Sequence, residues 1–137
     1  QPVNLGAAVN TPYNEGYPYM HGDGKNLYFS SDGHLGMGGL DIYRITAEKG
    51  GNFKGEPENL KFPMNSPHDD FAIIYDGSKD RGFFSSDREG GKGSDDIYSF
   101  YLPPLVFNVS GLITNVDDKT IILNCPIILK VSDVTLV

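Results

Sequence analysis

Residues Phe29–Tyr43 read FSSDGHLGMGGLDIY, and residues Phe84–Tyr98 read FSSDREGGKGSDDIY. The first string packs four glycines, two serines and two aspartates between aromatic ends. Three readings compete for it: a loop that cradles phosphate, a cation site built from Asp carboxylates, or a tight turn joining two strands. The second string bears on all three. It keeps the Phe-Ser-Ser-Asp opening, two glycines and the Asp-Ile-Tyr close, and changes everything else.

The likeness extends outward in both directions. Residues 1–45 align with residues 56–100 at a constant offset of 55, without gaps and with 15 identities. They include Pro2/Pro57, Asn4/Asn59, Leu5/Leu60, Asn10/Asn65 and Pro12/Pro67, clustered rather than scattered. A fixed period of this size marks a structural repeat. Within each copy the apolar residues fall into short runs: GYPYM and FAIIY, NLYFSS and RGFFSS, DIYRIT and DIYSFY. A fourth run lies around NFKGEPENL, and QPVNL is expected to be the tail of its counterpart from an earlier copy. No segment sustains a 3.6-residue apolar period, so helix content is expected to be low. LYFSS and FAIIY carry bulky apolar groups on both faces, and such a strand needs cover on both sides.

Composition agrees with β structure. Hydrophobic residues make up 39% and charged residues 21%, which excludes wholesale disorder. Seventeen glycines and nine prolines imply many short turns, and eight Tyr with eight Phe favour strands. A net charge of −7 without any basic run argues against a nucleic-acid partner. No apolar stretch is long enough to span a bilayer as a helix, so no membrane-spanning segment is expected. Cys125, the single cysteine, has no partner for a disulfide and no metal-ligand spacing around it, and reads as a buried, inert thiol. The chain starts at Gln1 rather than Met and reads as a piece of a longer protein, so the lack of a signal peptide carries no information.

The phosphate reading fails on order. A dinucleotide loop needs G-x-G-x-x-G leaving a strand and opening a helix. Here the glycines run G-x-x-G-x-G-G and a strand, LDIYRI, follows; in the second copy Gly93 separates Lys92 from Ser94, against the P-loop pattern. The cation reading has Asp32 and Asp41 flanking one loop and Asp87 and Asp96 the other. Glycine-rich Asp loops can supply the oxygens calcium needs, but the EF-hand spacing is absent. The structural alternative has the carboxylates accept backbone N–H groups of the turn itself, and recurrence in register with strand ends favours it. No metal and no cofactor are expected. The Asp pairs at 69–70, 95–96 and 117–118 are chain neighbours, which point to opposite faces of a strand and make no catalytic dyad. His21, His34 and His68 stand beside no G-x-S-x-G nucleophile, and the Asp-box of sialidase propellers fails at His34. No catalytic residue is expected. Tyr13, Tyr17 and Tyr19 would either line a peptide or glycan surface or stack between layers.

GKNLYFSSDGHLGMGGLDIYRI and NSPHDDFAIIYDGSKDRGFFSSDREGGKGSDDIYSF resemble the WD40-like, TolB-type β-propeller repeat. More narrowly they resemble its variant in large outer-membrane-associated proteins of Bacteroidetes-type bacteria, where a carboxypeptidase-regulatory-like sandwich and an OmpA-like domain follow the propeller. The resemblance covers residues 1–101. Its signature positions here are Ser31, Asp32, Gly36, Gly38, Asp41 and Tyr43, with Ser86, Asp87, Gly91, Gly93, Asp96 and Tyr98. It implies a periplasmic, outer-membrane-associated, non-enzymatic scaffold, with type IX secretion or gliding machinery as one setting. TolB itself implies the alternative, a propeller that docks a peptide; a lectin-like, glycan-binding module is a further one.

The expected architecture is therefore all-β. Residues 1–102 are expected to form about two four-stranded antiparallel blades of a partial β-propeller. Two blades close no ring, so the remaining blades, and the fourth strand of the second copy, are expected upstream in the same protein. Pro103-Pro104 reads as a stiff linker, and residues 103–137 as linker and truncated start of a β-sandwich. Partners are expected to be those remaining blades and other envelope protein subunits. The loop residues that differ between copies, His34, Met37, Arg88 and Lys92, are the candidates for contact. Such a segment, with open faces and edges, is expected to be unstable or to aggregate alone.

Overall fold

The computed structural model describes residues 1–103, 111–123, 129–131 and 134–136, and it divides into two units, Gln1–Pro104 and Leu105–Val137. It is all-β, with no helix among the described residues. In the first unit one antiparallel sheet runs β1 (Glu15–Met20), β2 (Asn26–Ser31), β3 (Asp41–Thr46) and β4 (Glu58–Asn59). A second runs β5 (Asp70–Tyr75), β6 (Arg81–Ser86) and β7 (Asp96–Tyr101).

Each of β5, β6 and β7 starts and ends 55 residues after β1, β2 and β3. The pairing repeats as closely: Glu15 faces Ser31 as Asp70 faces Ser86, and Asp41 faces Ser31 as Asp96 faces Ser86. Both first strands carry a bulge at one place. Two residues, Tyr17-Pro18 or Ala72-Ile73, oppose one on the partner, and Tyr17 (φ 53) and Ala72 (φ 57) take the left-handed conformation. The bulge shifts the alternation of the strand, so that Ile73 rather than Ala72 points into the core.

The first sheet is buried on both faces. Val9, Leu27, Phe29, Tyr43 and Ile45 cluster on one. On the other, Tyr28 and Ile42 pack against Met64, Ile73 and Phe84 of the second copy. At about 25 cal/mol per Å² of apolar area this two-sided burial is the main stabilising term. Aromatic pairs cross between the sheets, Tyr17 on Phe71 with centroids 4.8 Å apart and Tyr19 stacked on Tyr75 at 6.2 Å. Stacking is thus where Tyr17 and Tyr19 are used, while Tyr13 stays 70% exposed.

Two expectations need correction. The tail QPVNL forms no strand, for no strand edge among the described residues faces it. The fourth strand around NFKGEPENL shrinks to the two residues of β4, with a single further bridge between Ala47 and Phe53. Among the described residues the second copy has three strands, of which β7 is the last.

In the second unit a turn over residues 116–118 holds the Asp117-Asp118 pair, closed by a bridge from Thr114 to Ile121. β8 (Leu129–Val131) pairs with β9 (Val134–Leu136). Cys125, Pro104 and much of VFNVSGLITNVDDKTIILNCPIILKV lie outside the described residues.

Candidate functional site

The two glycine-rich turns are organised from within. Asp41 is wholly buried, and its Oδ2 accepts the amides of Met37 (2.6 Å) and Gly38 (3.1 Å). Asp96 Oδ2 accepts those of Lys92 and Gly93 at the same 2.6 and 3.1 Å. A carboxylate that fills its turn leaves no room for a side chain opposite. A Cβ on Gly36 would stand 1.9 Å from Asp41 Oδ2, and one on Gly91 2.0 Å from Asp96 Oδ2. Asp32 and Asp87 tie each turn to the segment before the first strand, accepting the amides of Asn14 and Asp69 at 2.8 Å. Among the described residues no three His, Cys, Asp or Glu side chains converge as a metal site would require.

The serines serve a second network. Ser31 Oγ accepts the Gly33 amide and donates to Glu15 Oε1 (2.8 Å), which also takes the Thr11 hydroxyl at 2.6 Å. In the second copy Asp70 replaces Glu15 and Ser66 replaces Thr11; Asp70 Oδ2 accepts the Ser66 amide (2.5 Å) and hydroxyl (2.8 Å). Burial works to raise the Glu15 pKa, but the hydrogen bonds from Thr11 and Ser31 and the nearby His34 outweigh it and hold the group below its ordinary value. Asp32 is lowered by the Asn14 side chain and amide.

A depressed carboxylate contributes stability that is complete above its unfolded pKa, about 4, and that fades as pH falls through the folded value. Wild-type thermal midpoint is therefore expected to hold from neutrality to about pH 5 and to drop below about pH 4. Glu15→Gln should start lower at pH 7 and lose less on acidification. A Glu15→Gln curve parallel to wild type would refute the assignment.

Two of the four loop candidates turn inward rather than out. The Arg88 guanidinium lies over the rings of Phe84 (4.8 Å) and Tyr98 (5.1 Å). It donates to the carbonyls of Pro63 (3.0 Å) and Met64 (2.8 Å) and to Asp70 Oδ1 (2.5 Å), while its Nε donates to Ser86 Oγ. These bonds hold the Arg88 side chain against the turn as a structural plug. His34 does the same work in the first copy. Its ring lies against Phe29 (5.7 Å) and Tyr43 (5.2 Å), and its Nε2 lies 3.1 Å from the carbonyl of Val9, the counterpart of Met64. Alignment pairs Arg88 with Gly33, so the two plugs sit one residue out of register. Gly33 has no room for a Cβ, which would fall 2.0 Å from Thr11 Oγ1, so the next residue takes over.

Met37 (44% exposed) and Lys92 do reach the surface, and beside Met37 stands Leu35, 97% exposed. His21 and His68 lie beside acids, with Nδ1 3.1 Å from Asp23 and 3.9 Å from Asp87. Sequence reasoning missed Asn65, although its identity with Asn10 in the repeat was a visible signal. Asn65 is fully buried. Its Oδ1 accepts the Ile42 amide and its Nδ2 donates to the Ile42 carbonyl, both at 2.9 Å, so one side chain pairs with β3 as a strand residue would.

Among the described residues no helix is long and apolar enough to cross a bilayer. Comparison with protein-family models, curated proteins and solved structures finds no match.

Proposed function

We propose that the chain is a non-enzymatic interaction scaffold, in which residues 1–102 are adjacent blades of a WD40-like, TolB-type β-propeller and residues 103–137 begin a regulatory-like β-sandwich. The observation that carries this reading is the internal use of the aspartates, of Ser31 and Ser86, and of His34 and Arg88 in the repeated turns. Asp41, Asp96, Asp32 and Asp87 are bound to backbone amides, Ser31 and Ser86 to the same turns, and His34 and Arg88 to carbonyls. Groups committed in this way hold a shape and carry out no chemistry. What varies at the loop tips is exposed Leu35, Met37 and Lys92, the kind of apolar and charged surface a protein partner reads.

On the resemblance of the repeat, the proposed setting is the periplasm, at the outer membrane, with a secretion or gliding apparatus as its partner machinery. A photo-crosslinking residue at Leu35, in the full-length protein within its own cells, is expected to trap one discrete envelope protein. Binding to an oligosaccharide array without a protein adduct would overturn this reading in favour of a glycan-binding module.

A further inference from the structure

We propose that the strand end bearing the glycine-rich turns docks a cationic, partly apolar segment of a partner protein. The segment's apolar side chains would lie on Leu35 and Met37, and its Lys or Arg beside Glu89 and Asp87. The inference rests on the scaffold reading and names the chemistry of the partner. This surface lies at the ends of the strands, and the chain itself shows that a neighbouring repeat leaves it open. The first repeat has one after it and keeps Leu35 97% and Tyr13 70% exposed. The second has one before it and keeps Pro67, Asp87 and Glu89 exposed.

The apolar strip adjoins a groove. A Cβ on Gly38, the residue after Met37, would lie 2.3 Å from the His68 carbonyl oxygen and 2.7 Å from the Pro67 carbonyl carbon, so the first turn abuts the Pro67-His68 segment. The same segment lines a groove of about 440 Å³ together with Ser66, Arg88 and Glu89. Tyr13 borders the strip elsewhere, for a Cβ on Gly33 would lie 3.0 Å from Tyr13 Cβ. Hydrogen bonds fix these parts relative to one another. The Leu40 amide donates to Asp69 Oδ1 (2.7 Å), and the Asp69 amide to Asp87 Oδ1 (2.8 Å). A surface held in this way needs little ordering when a partner arrives.

Charge selects the occupant. The segments at this end, residues 11–15, 31–41, 66–70 and 86–96, carry nine Asp and Glu against two Lys and Arg. Those at the opposite end, residues 20–26, 46–54 and 75–81, carry four against five. There Asp23, Glu48 and Asp76 pair with His21, Lys54, Lys79 and Arg81. At the turn end Arg88 is taken up by buried Asp70, and Asp87 has only His68, at 3.9 Å. Asp32, Asp69, Glu89 and Asp95 make no ion pair among the described residues. Accepting an amide leaves a carboxylate its charge, so the bonds of Asp32 and Asp87 within the turns do not neutralise this end. A cationic segment therefore meets a complementary field here, and an acidic one a repulsive field.

Lys92 bounds the acidic stretch. It tips the second turn as Met37 tips the first, and Asp96 holds its amide while its side chain is exposed. Among the described residues neither the Glu89 nor the Lys92 side chain makes a hydrogen bond, so changing either acts on a partner rather than on the fold. The two positions carry opposite expectations. Glu89→Lys puts a like charge in the path of the incoming cation, and Lys92→Glu removes one.

Fluorescence anisotropy with two labelled peptides, alternating Lys-Leu and alternating Glu-Leu, tests this on the full-length protein, with circular dichroism as the check on folding. The Lys-Leu peptide is expected to bind about tenfold more tightly than the Glu-Leu peptide, and more weakly as salt rises. Glu89→Lys and Leu35→Ser should each weaken its binding about fivefold, and Lys92→Glu should tighten it. A photo-crosslinker at Leu35 should trap the Lys-Leu peptide, and one at Ser78, on the opposite end, should not. The proposal is overturned if the Lys-Leu peptide does not bind, if both peptides bind equally, if the substitutions have no effect, or if Ser78 traps as strongly as Leu35. An envelope adduct at Leu35 that Glu89→Lys and Lys92→Glu leave unchanged also overturns the cationic partner, while the scaffold reading stands. Loss of every protein adduct is instead the failure of the scaffold itself.

Discussion

Arg88→Ala is expected to destabilise the first unit by about 3–5 kcal/mol, the range for removing one partner of a buried ion pair. Asp70 is wholly buried, and Arg88 is its only cationic contact among the described residues. Truncation leaves that carboxylate uncompensated, frees the Pro63 and Met64 carbonyls, and uncovers the Phe84 and Tyr98 rings. The cause can be separated from the loss of packing. Asp70→Asn keeps an oxygen for the Ser66 amide and removes the charge, so Arg88→Ala combined with Asp70→Asn should recover a large part of the loss. Urea denaturation followed by tyrosine fluorescence measures both. If the double variant is no better than Arg88→Ala alone, the ion pair is not what holds the turn. His34→Ala should cost less, because the histidine makes one hydrogen bond where Arg88 makes several.

Asn65→Ala should cost about 3 kcal/mol, from an orphaned buried amide at about 1–3 kcal/mol and the cavity left behind. The Ile42 amide loses its acceptor, whereas the Ile42 carbonyl keeps the Leu60 amide at 3.1 Å. The effect is therefore local before it is global. Hydrogen exchange at Ile42 should accelerate strongly while Ile45, within the β2–β3 ladder, stays protected. Asn65→Asp is the sharper variant. It retains an acceptor for the amide but sets a carboxylate oxygen against the Ile42 carbonyl and Asn59 Oδ1, and should cost as much as alanine. An Asn65→Asp protein as stable as wild type would refute the bidentate role.

Much of the frame was legible because it depends on local, periodic chemistry. The six long strands follow from alternating aromatic and β-branched runs, and the 55-residue offset sets their spacing. The three strands of the second sheet among the described residues agree with the change of pattern read at Pro103-Pro104. The bulge was not legible. It places Tyr17 and Ala72 at positive φ with neither glycine nor asparagine to mark it, and tertiary packing of Ile73 overrides local preference. The inward turn of Arg88 and His34 was hidden for another reason. Aligned residues suggest equivalent roles, and these two perform one role from positions a residue apart.

The sequence by itself determined that FSSDGHLGMGGLDIY is a turn between strands, since a copy with other loop residues keeps the Ser, Asp and Gly positions. Only the tertiary structure decided what those groups bond to, and that Asn65 grips β3 from the connection between β4 and β5. Periodicity is written along the chain, whereas a hydrogen bond between Asn65 and Ile42 joins residues whose proximity depends on every fold between them.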